Sequence, residues 1–200
     1  MPWPPTVTLT GNVVRLEPLD PRHASDLRAA AAEGDLWNLW YTRVPKPDEV
    51  EAEIDRRLGL RERGSMLPFA VVERSGGEAV GMTTYMNIDA ETKRVEIGST
   101  WYRKRVQRTA LNTECKLLLL AHAFETLNCV AVELRTSTFN LPSRRAIERL
   151  GAKLDGILRS HMYHPDGTLR DSCCYSVVAS EWPAVKANLL ARLSKTYPQE

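Results

Sequence analysis

Apolar and polar positions change their spacing several times along the chain, and the clearest succession lies between Val95 and Gly151. Alternation from Val95 to Tyr102 predicts a strand, the basic run from Arg103 to Thr109 a loop, and the apolar stretch from Ala110 to Leu127 a helix. A second strand follows from Val130 to Thr136, then a short helix that Asn140 caps, Pro142 enters and Gly151 ends. In that helix Ser143, Ala146, Ile147 and Leu150 fall at i, i+3, i+4 and i+7, the spacing of a buried stripe. Strand, helix, strand, helix in this order is a βαβα unit, whose parallel strands require a crossover helix.

The flanking segments add antiparallel strands and further helices. Val13 to Leu16 reads as a strand, and Asp20 caps a helix that Pro21 opens and that reaches Glu33. A second helix spans Asp48 to Arg63, with Val50, Ile54 and Leu58 at four-residue spacing. Leu67–Glu73 and Ala79–Asn87 form a hairpin across RSGGE, and IDAETK turns the chain into the strand that carries Glu96. Leu154–Tyr163 and Ser172–Ala179 pair across HPDGT, and a last helix, capped by Ser180, places Trp182, Val185, Leu189 and Leu193 on one side. On the central strand, alternation puts Val95, Ile97, Ser99 and Trp101 on one face and Glu96, Gly98, Thr100 and Tyr102 on the other.

With 200 residues, and without a linker-like or low-complexity tract, the chain is expected to form one domain over residues 1–200. Its 43% apolar and 26% charged residues are ordinary for a globular protein, and a net charge of +2 gives no reason for an obligatory nucleic-acid or membrane partner. MPWPPTVTLTG lacks the pattern of a signal peptide and LLLLA is far too short to span a bilayer, so a cytoplasmic location is expected. Cys115, Cys129, Cys173 and Cys174 lack metal-ligand spacing and read as buried thiols, and no metal is expected.

Four positions carry candidate chemistry. Arg103, Lys104, Arg105 and Arg108 precede a helix whose first N–H groups have no internal partner, a combination suited to phosphate. Glu96 shares its face with small residues, which leaves room for a ligand or water; a cross-strand ion pair with Lys93 or Arg94 is the plainer alternative. Trp37, Trp40 and Tyr41 crowd one short connection, as core plugs or as the wall of a pocket. His122 sits on an apolar helix and reads as a satisfied interior histidine. An RNA- or DNA-binding use of the RKR cluster is disfavoured by balanced charge and the lack of an aromatic in the loop.

With QRTALN, an NxxS helix start and AIERLGA in this order, the chain resembles the GNAT superfamily of acyl-CoA-dependent N-acetyltransferases, in particular the branch of ribosomal-protein N-terminal acetyltransferases. The likeness runs from RLEPLDPRHASDL to HPDGTLRDSCCYSVV. It implies an α+β fold, a splayed and mostly antiparallel sheet of about seven strands with helices on both faces. It also implies acetyl-CoA as co-substrate, held by Arg105, Val106, Gln107, Arg108, Thr109, Ala110, Leu111, Asn112 and Thr113, with Arg103 adding charge and Asn140 meeting the pantetheine arm. A backbone N–H near Tyr102 would polarise the thioester carbonyl. Ala110 stands where the family's first glycine is usual and Asn112 where its second small residue is usual; a positive φ would cost about 1 kcal/mol at Ala110, whereas Asn tolerates that region better.

The resemblance makes Glu96, eleven residues before Gln107, the base that frees the acceptor amine of its proton. Relatives often carry a tyrosine acid seven residues after the helix-starting asparagine; here Ile147 stands there, and Ser143 is either the acid or part of the cap. Trp37, Trp40, Tyr41, Tyr85 and Trp101 could wall a slot for a peptide N-terminus or a small amine, with Glu33, Asp35 or Asp48 attracting its charge. The alternative is a non-catalytic acyl-CoA-binding or dimerisation domain, and a homodimer could form through an exposed strand or the final helix.

Overall fold

A computed structural model describes residues 3–196. Eight strands form one sheet in the order β1-β2-β3-β4-β5-β6-β8-β7. They are β1 (Leu9–Thr10), β2 (Val14–Pro18), β3 (Met66–Glu73), β4 (Ala79–Asp89), β5 (Arg94–Tyr102), β6 (Ala131–Ser137), β7 (Lys153–Tyr163) and β8 (Leu169–Val178). Every pairing is antiparallel except that of β5 with β6, so the parallel unit read from the sequence is embedded in a meander. The helices are α1 (Ala24–Ala32), α2 (Val50–Glu62), α3 (Ala110–Ala121), α4 (Leu141–Leu150) and α5 (Trp182–Thr196).

Two cores lie on opposite faces of the sheet. Leu27, Ala30, Val50 and Ile54 of α1 and α2 pack with Ala70, Val72 and Met82 on one face. On the other, Leu119 and Leu120 of α3, Ile147 and Leu150 of α4 and Leu189 of α5 pack with Phe69, Val71, Val95 and Ile97. Gly151 ends α4 at φ +107°, the left-handed cap its sequence foretold. The helix expected to run to Leu127 instead loosens into a π turn at His122–Thr126. Ser180 lies within a 3-10 turn ahead of α5, where Glu181 accepts a bond from the Val178 N–H.

The alternation expected along β5 breaks at a bulge. Gly98 pairs with Thr84 and Trp101 with Met82, so β5 carries one residue more than β4 between these rungs, and Ser99 takes a positive φ of 48°. Val95 and Ile97 therefore face the α3 core, whereas Trp101, predicted to share their face, is buried in the α1/α2 core. Arg57 of α2 braces the irregularity: it is 3% exposed, donates to Thr84 Oγ1 (2.8 Å) and to the Ser99 carbonyl (3.1 Å), and is paired with Glu53 (2.7 Å).

The start of the chain is tied to α3 by one carboxylate. Glu114 accepts the N–H groups of Asn12 (2.8 Å), Val13 (2.8 Å) and Val14 (2.9 Å). Gly11 makes room for it, since a Cβ there would stand 2.5 Å from Glu114 Cδ. Glu114→Ala strands three donors and is expected to destabilise the fold by about 3 kcal/mol; Gly11→Ala should cost about 1–3 kcal/mol through overpacking. Urea unfolding midpoints of the two variants, set against that of the parent chain, check both values.

Candidate active site

β5 and β6 pair over only three positions, Arg94 with Ala131, Val95 with Val132 and Glu96 with Glu133. Beyond Glu96 the strands part, and an opening of about 720 Å³ lies between them. Residues of both helical layers line it, from the α1–α2 connection and α2 on one side and from α3 and α4 on the other. It is therefore a passage through the sheet rather than a surface dent. The bulge sets what faces each side: Glu96 keeps the α1/α2 side, while Thr100 reaches Lys116 of α3 at 3.1 Å.

Glu96 is 5% exposed. Its Oε2 accepts a 2.6 Å bond from Asn87 Nδ2 and lies 3.4 Å from Arg135 Nε. The cross-strand partner is thus Arg135, not Lys93 or Arg94; Arg94 instead pairs with Glu133 (2.7 Å). Burial raises the Glu96 carboxyl above its ordinary value, outweighing the Asn87 bond and the Arg135 charge that pull it down. Gly98 keeps the approach clear, since a Cβ there would sit 2.7 Å from Met86 Sδ and 3.0 Å from Glu96 Oε1.

The basic loop leads into α3 through a short 3-10 turn at Lys104–Val106. Gln107 Nε2 donates to the Tyr102 carbonyl (2.9 Å), and Thr109 caps the helix, accepting from the Leu111 N–H (3.3 Å) and donating to the Val106 carbonyl (2.7 Å). The left-handed residue is Arg108, with φ 61°, while Ala110 and Asn112 lie in regular helix. Their departure from glycine therefore carries no backbone strain. Two of the four cations are committed elsewhere: Arg103 pairs with Glu33 (2.5 Å) and Arg105 with Glu73 (2.7 Å), and both also meet Glu78. The expectation that both offer free charge to a phosphate is corrected accordingly. Arg105, Val106, Thr109 and Leu111 line a neighbouring cleft of about 600 Å³.

On the α3/α4 side the wall includes Tyr102, Asn112, Lys116, Asn140, Ser143 and Ile147. Asn140 Oδ1 takes the Ser143 N–H (3.1 Å), so capping uses the serine's main chain and not its hydroxyl. Lys116 is 6% exposed, and burial pulls its ammonium down to about 8. Its only mark in the sequence is that of a lone cation within an otherwise apolar run from Cys115 to Ala121. Asn87, Arg135 and Arg170 were also missed, and no local motif marks them.

The aromatic slot is largely dissolved by the structure. Tyr85 is fully buried with its hydroxyl on the Leu119 carbonyl (2.5 Å), and Trp101 is core, so neither walls an acceptor site. Tyr41 does line the opening. Trp40 stands behind that wall, 4.9 Å from the His164 ring and 5.2 Å from Phe139, and Trp37 is half-buried off the lining. The acids meant to attract an amine are not there either: Glu33 is held by Arg103 and the Arg105 N–H, and Asp35 and Asp48 are exposed away from the lining. His122 is buried against Tyr85, away from the opening, and its Nε2 has no partner among the described residues.

The acetyltransferase (GNAT) domain family matches residues 14–153, more than half of the chain. A Bacillus subtilis (strain 168) protein named "Putative ribosomal N-acetyltransferase YdaF" is 30% identical over 110 residues, covering 55% of this chain and 59% of its own length. A GCN5-related N-acetyltransferase from Brucella melitensis has a solved structure similar to this one, with a TM-score of 0.86, 33% identity and coverage of 95% of this chain and 86% of that one. Mycobacterium smegmatis RimJ, solved in complex with CoA-disulfide, shares the fold at 22% identity and a TM-score of 0.78, over 95% of each chain. With strands that part beside a buried glutamate and a capped helix entering the gap, the chain belongs to the GNAT acetyltransferase family.

Proposed function

We propose that this chain is an acetyl-CoA-dependent N-acetyltransferase whose acceptor is a primary amine, on a peptide N-terminus or a small molecule, in the cytoplasm. The observation that carries the reading is the passage itself, with a carboxylate whose burial raises its pKa on one side and the α3 entrance loop on the other. Relatives named for ribosomal N-acetylation favour a protein N-terminus, and a RimJ complexed with CoA-disulfide favours coenzyme A as donor. No helix among the described residues is long and apolar enough to cross a membrane.

The residues present suit such a donor. The capped start of α3 offers main-chain N–H groups to a diphosphate, with Arg108 and Lys104 as nearby cations free of ion pairs with described residues. Asn112, Asn140 and Ser143 line the way from there to the gap. Bound acetyl-CoA supplies an acetyl group activated as a thioester. Glu96, acting through a water, takes the proton from the acceptor ammonium so that the neutral nitrogen can bond to the carbonyl carbon. A main-chain N–H near Tyr102 polarises that carbonyl. As the carbon–sulfur bond breaks, its electron pair goes to sulfur, and the new amide nitrogen gives up its second proton to water. Lys116 places a positive charge on that side of the gap and can give the sulfur a proton, with the Ser143 hydroxyl as a second donor on the same wall.

Three outcomes are expected. With acetyl-CoA and a panel of amines and peptides the chain releases free thiol, and Glu96→Gln slows release by about 10²–10⁴-fold with little change in calorimetric affinity for acetyl-CoA. Binding without release across the whole panel would instead support a non-catalytic acyl-CoA-binding domain. Turnover should fall on the acid side as Glu96 takes up its proton, and Lys116→Met should remove dependence on the basic side, near the pKa of about 8 that burial gives that ammonium, in a pH–rate profile.

The same carboxylate links activity to stability. Because burial raises the folded-state value of Glu96, the folded chain binds this proton more tightly than the unfolded chain, whose value is about 4.3. Its stabilising contribution is complete below that pH and is lost as pH rises through the folded value. Glu96→Gln should therefore melt higher than the parent chain at neutral pH, with the gain vanishing below about pH 4 in parallel thermal melts.

A further inference from the structure

The acceptor side of the passage is more cationic than an amine-binding chamber requires. Among the described residues that line it, Arg43, Arg56, Arg135 and Arg170 stand against a single carboxylate, Glu96. Arg56 is satisfied by both oxygens of Glu53 (2.7 and 2.9 Å). Arg135 is held chiefly by Glu133 (2.7 Å), with Glu96 at 3.4 Å. The other two differ. Arg43 is exposed at the mouth and makes no hydrogen bond or ion pair with a described residue. The Arg170 side chain makes none either, although its Nε is buried, and its one nearby attraction among carboxylates is to Glu96.

A second group of unused donors lies beside Arg170. His164 is 3% exposed, and neither ring nitrogen has a partner among the described residues. β7 and β8 pair Met162 with Arg170, and the His164 N–H bonds to the Thr168 carbonyl just beyond. Alternation thus turns Arg170 and His164 toward the same side, and both line the passage. At least one nitrogen of His164 carries a hydrogen whatever its tautomer, and a guanidinium is always charged. A buried donor with nothing to donate to destabilises the free chain, the more so when it is charged. Such a cost is recovered when a ligand supplies the acceptor atoms.

We infer that the acceptor amine of this chain carries an anionic group, a carboxylate or phosphate, which Arg170 and His164 bind while the amine nitrogen faces Glu96. This rests on the acetyltransferase reading for its chemistry, but not for the binding it describes. The anion serves two ends: it partners the stranded donors, and it offsets a field that would otherwise repel an ammonium. A polyamine, cationic along its whole length, is the wrong occupant. The same chemistry is offered by the second or third residue of an acidic peptide N-terminus and by a small amino acid or amino phosphate.

Matched acceptors separate these possibilities. The amidated tripeptides Ser-Asp-Ala, Ser-Asn-Ala and Ser-Lys-Ala, and phosphoethanolamine beside ethanolamine, are compared by kcat/KM for thiol release and by calorimetric binding to the chain. The anionic member of at least one set should exceed its neutral counterpart by about tenfold or more, and that set identifies the source as peptide or small molecule. Arg170→Gln should bring the ratio close to one and Arg170→Lys should restore part of it; Arg43→Gln, at an exposed position, should lower it more modestly and lessen its dependence on salt. Neutral or basic acceptors turning over as well as acidic ones, or a ratio indifferent to Arg170→Gln, overturns the inference while leaving the enzyme reading intact. Arg170-dependent binding of the anionic amine with no thiol release has the opposite meaning: the inference stands and the enzyme reading falls.

Discussion

Parallel strands that stay hydrogen-bonded leave no space between them, so everything at this site depends on β5 and β6 separating after Glu96. Separation frees a row of main-chain donors and acceptors on the facing edges, which water or a bound chain must satisfy. The fold confines this exposure to one place by holding both strands firmly on their outer sides. β5 is paired with β4 along most of its length, and β6 with β8 through seven successive positions from Ala131 to Ser137. The bulge at Ser99 then rotates the later part of β5, so that Thr100 and Tyr102 serve the α3 side while Glu96 serves the other. Arg57 is the brace for that rotation. As a buried cation with its own carboxylate on α2, it links the helical layer to the irregular rung, and removing it would leave Glu53, Thr84 and the Ser99 carbonyl without their shared partner.

Charge is distributed with equal economy. The loop looks strongly basic in sequence, yet Arg103 and Arg105 fasten it to Glu33, Glu73 and Glu78, so a good part of that positive charge is structural. These pairs are partly exposed and individually worth little, but together they fix where the chain leaves β5. Deeper in the passage the pattern reverses. Lys116 and Arg170 are cations set in buried surroundings without a carboxylate at bonding distance, and Glu96 is a carboxyl whose burial favours its protonated form. Groups whose ordinary charge state is disfavoured by burial are concentrated where proton transfer and ligand charge would act.

The order of strands and helices was legible because each change of hydrophobic period marks one element, and the caps at Asn140 and Gly151 are local signals that survive packing. The helix pair on one face and the parallel crossover followed from the same pattern. What the pattern could not carry was a single extra residue. Strict alternation assigned Trp101 to the wrong face and grouped Thr100 and Tyr102 with Glu96, since nothing in VEIGSTWY distinguishes a bulge from a regular strand. The acceptor side failed for another reason. Aromatics near one another in sequence suggested a slot, but Tyr85 was needed by the core, and the walls came from Arg135 on β6 and from His164 and Arg170 on the β7–β8 hairpin, segments that only the sheet order brings beside Glu96.

The loop ahead of α3 takes its shape without a glycine between Arg103 and Thr113. A glycine is needed where φ must be positive or where a Cβ would collide, and neither condition falls on Ala110 or Asn112, which are already helical. The left-handed position of this loop is Arg108, two residues before Ala110, and it sits exposed. A non-glycine residue there carries a modest conformational cost. Three side-chain bonds offset it: Gln107 to the Tyr102 carbonyl ties the loop back to the end of β5, and Thr109 bridges the Val106 carbonyl and the Leu111 N–H in the first turn of α3. The turn is therefore specified by hydrogen bonds rather than by backbone freedom. A loop so held is stiffer before any ligand arrives, which lowers the ordering cost of binding at the helix N-terminus. Ala110 and Asn112, both within regular helix, add no strain to that turn.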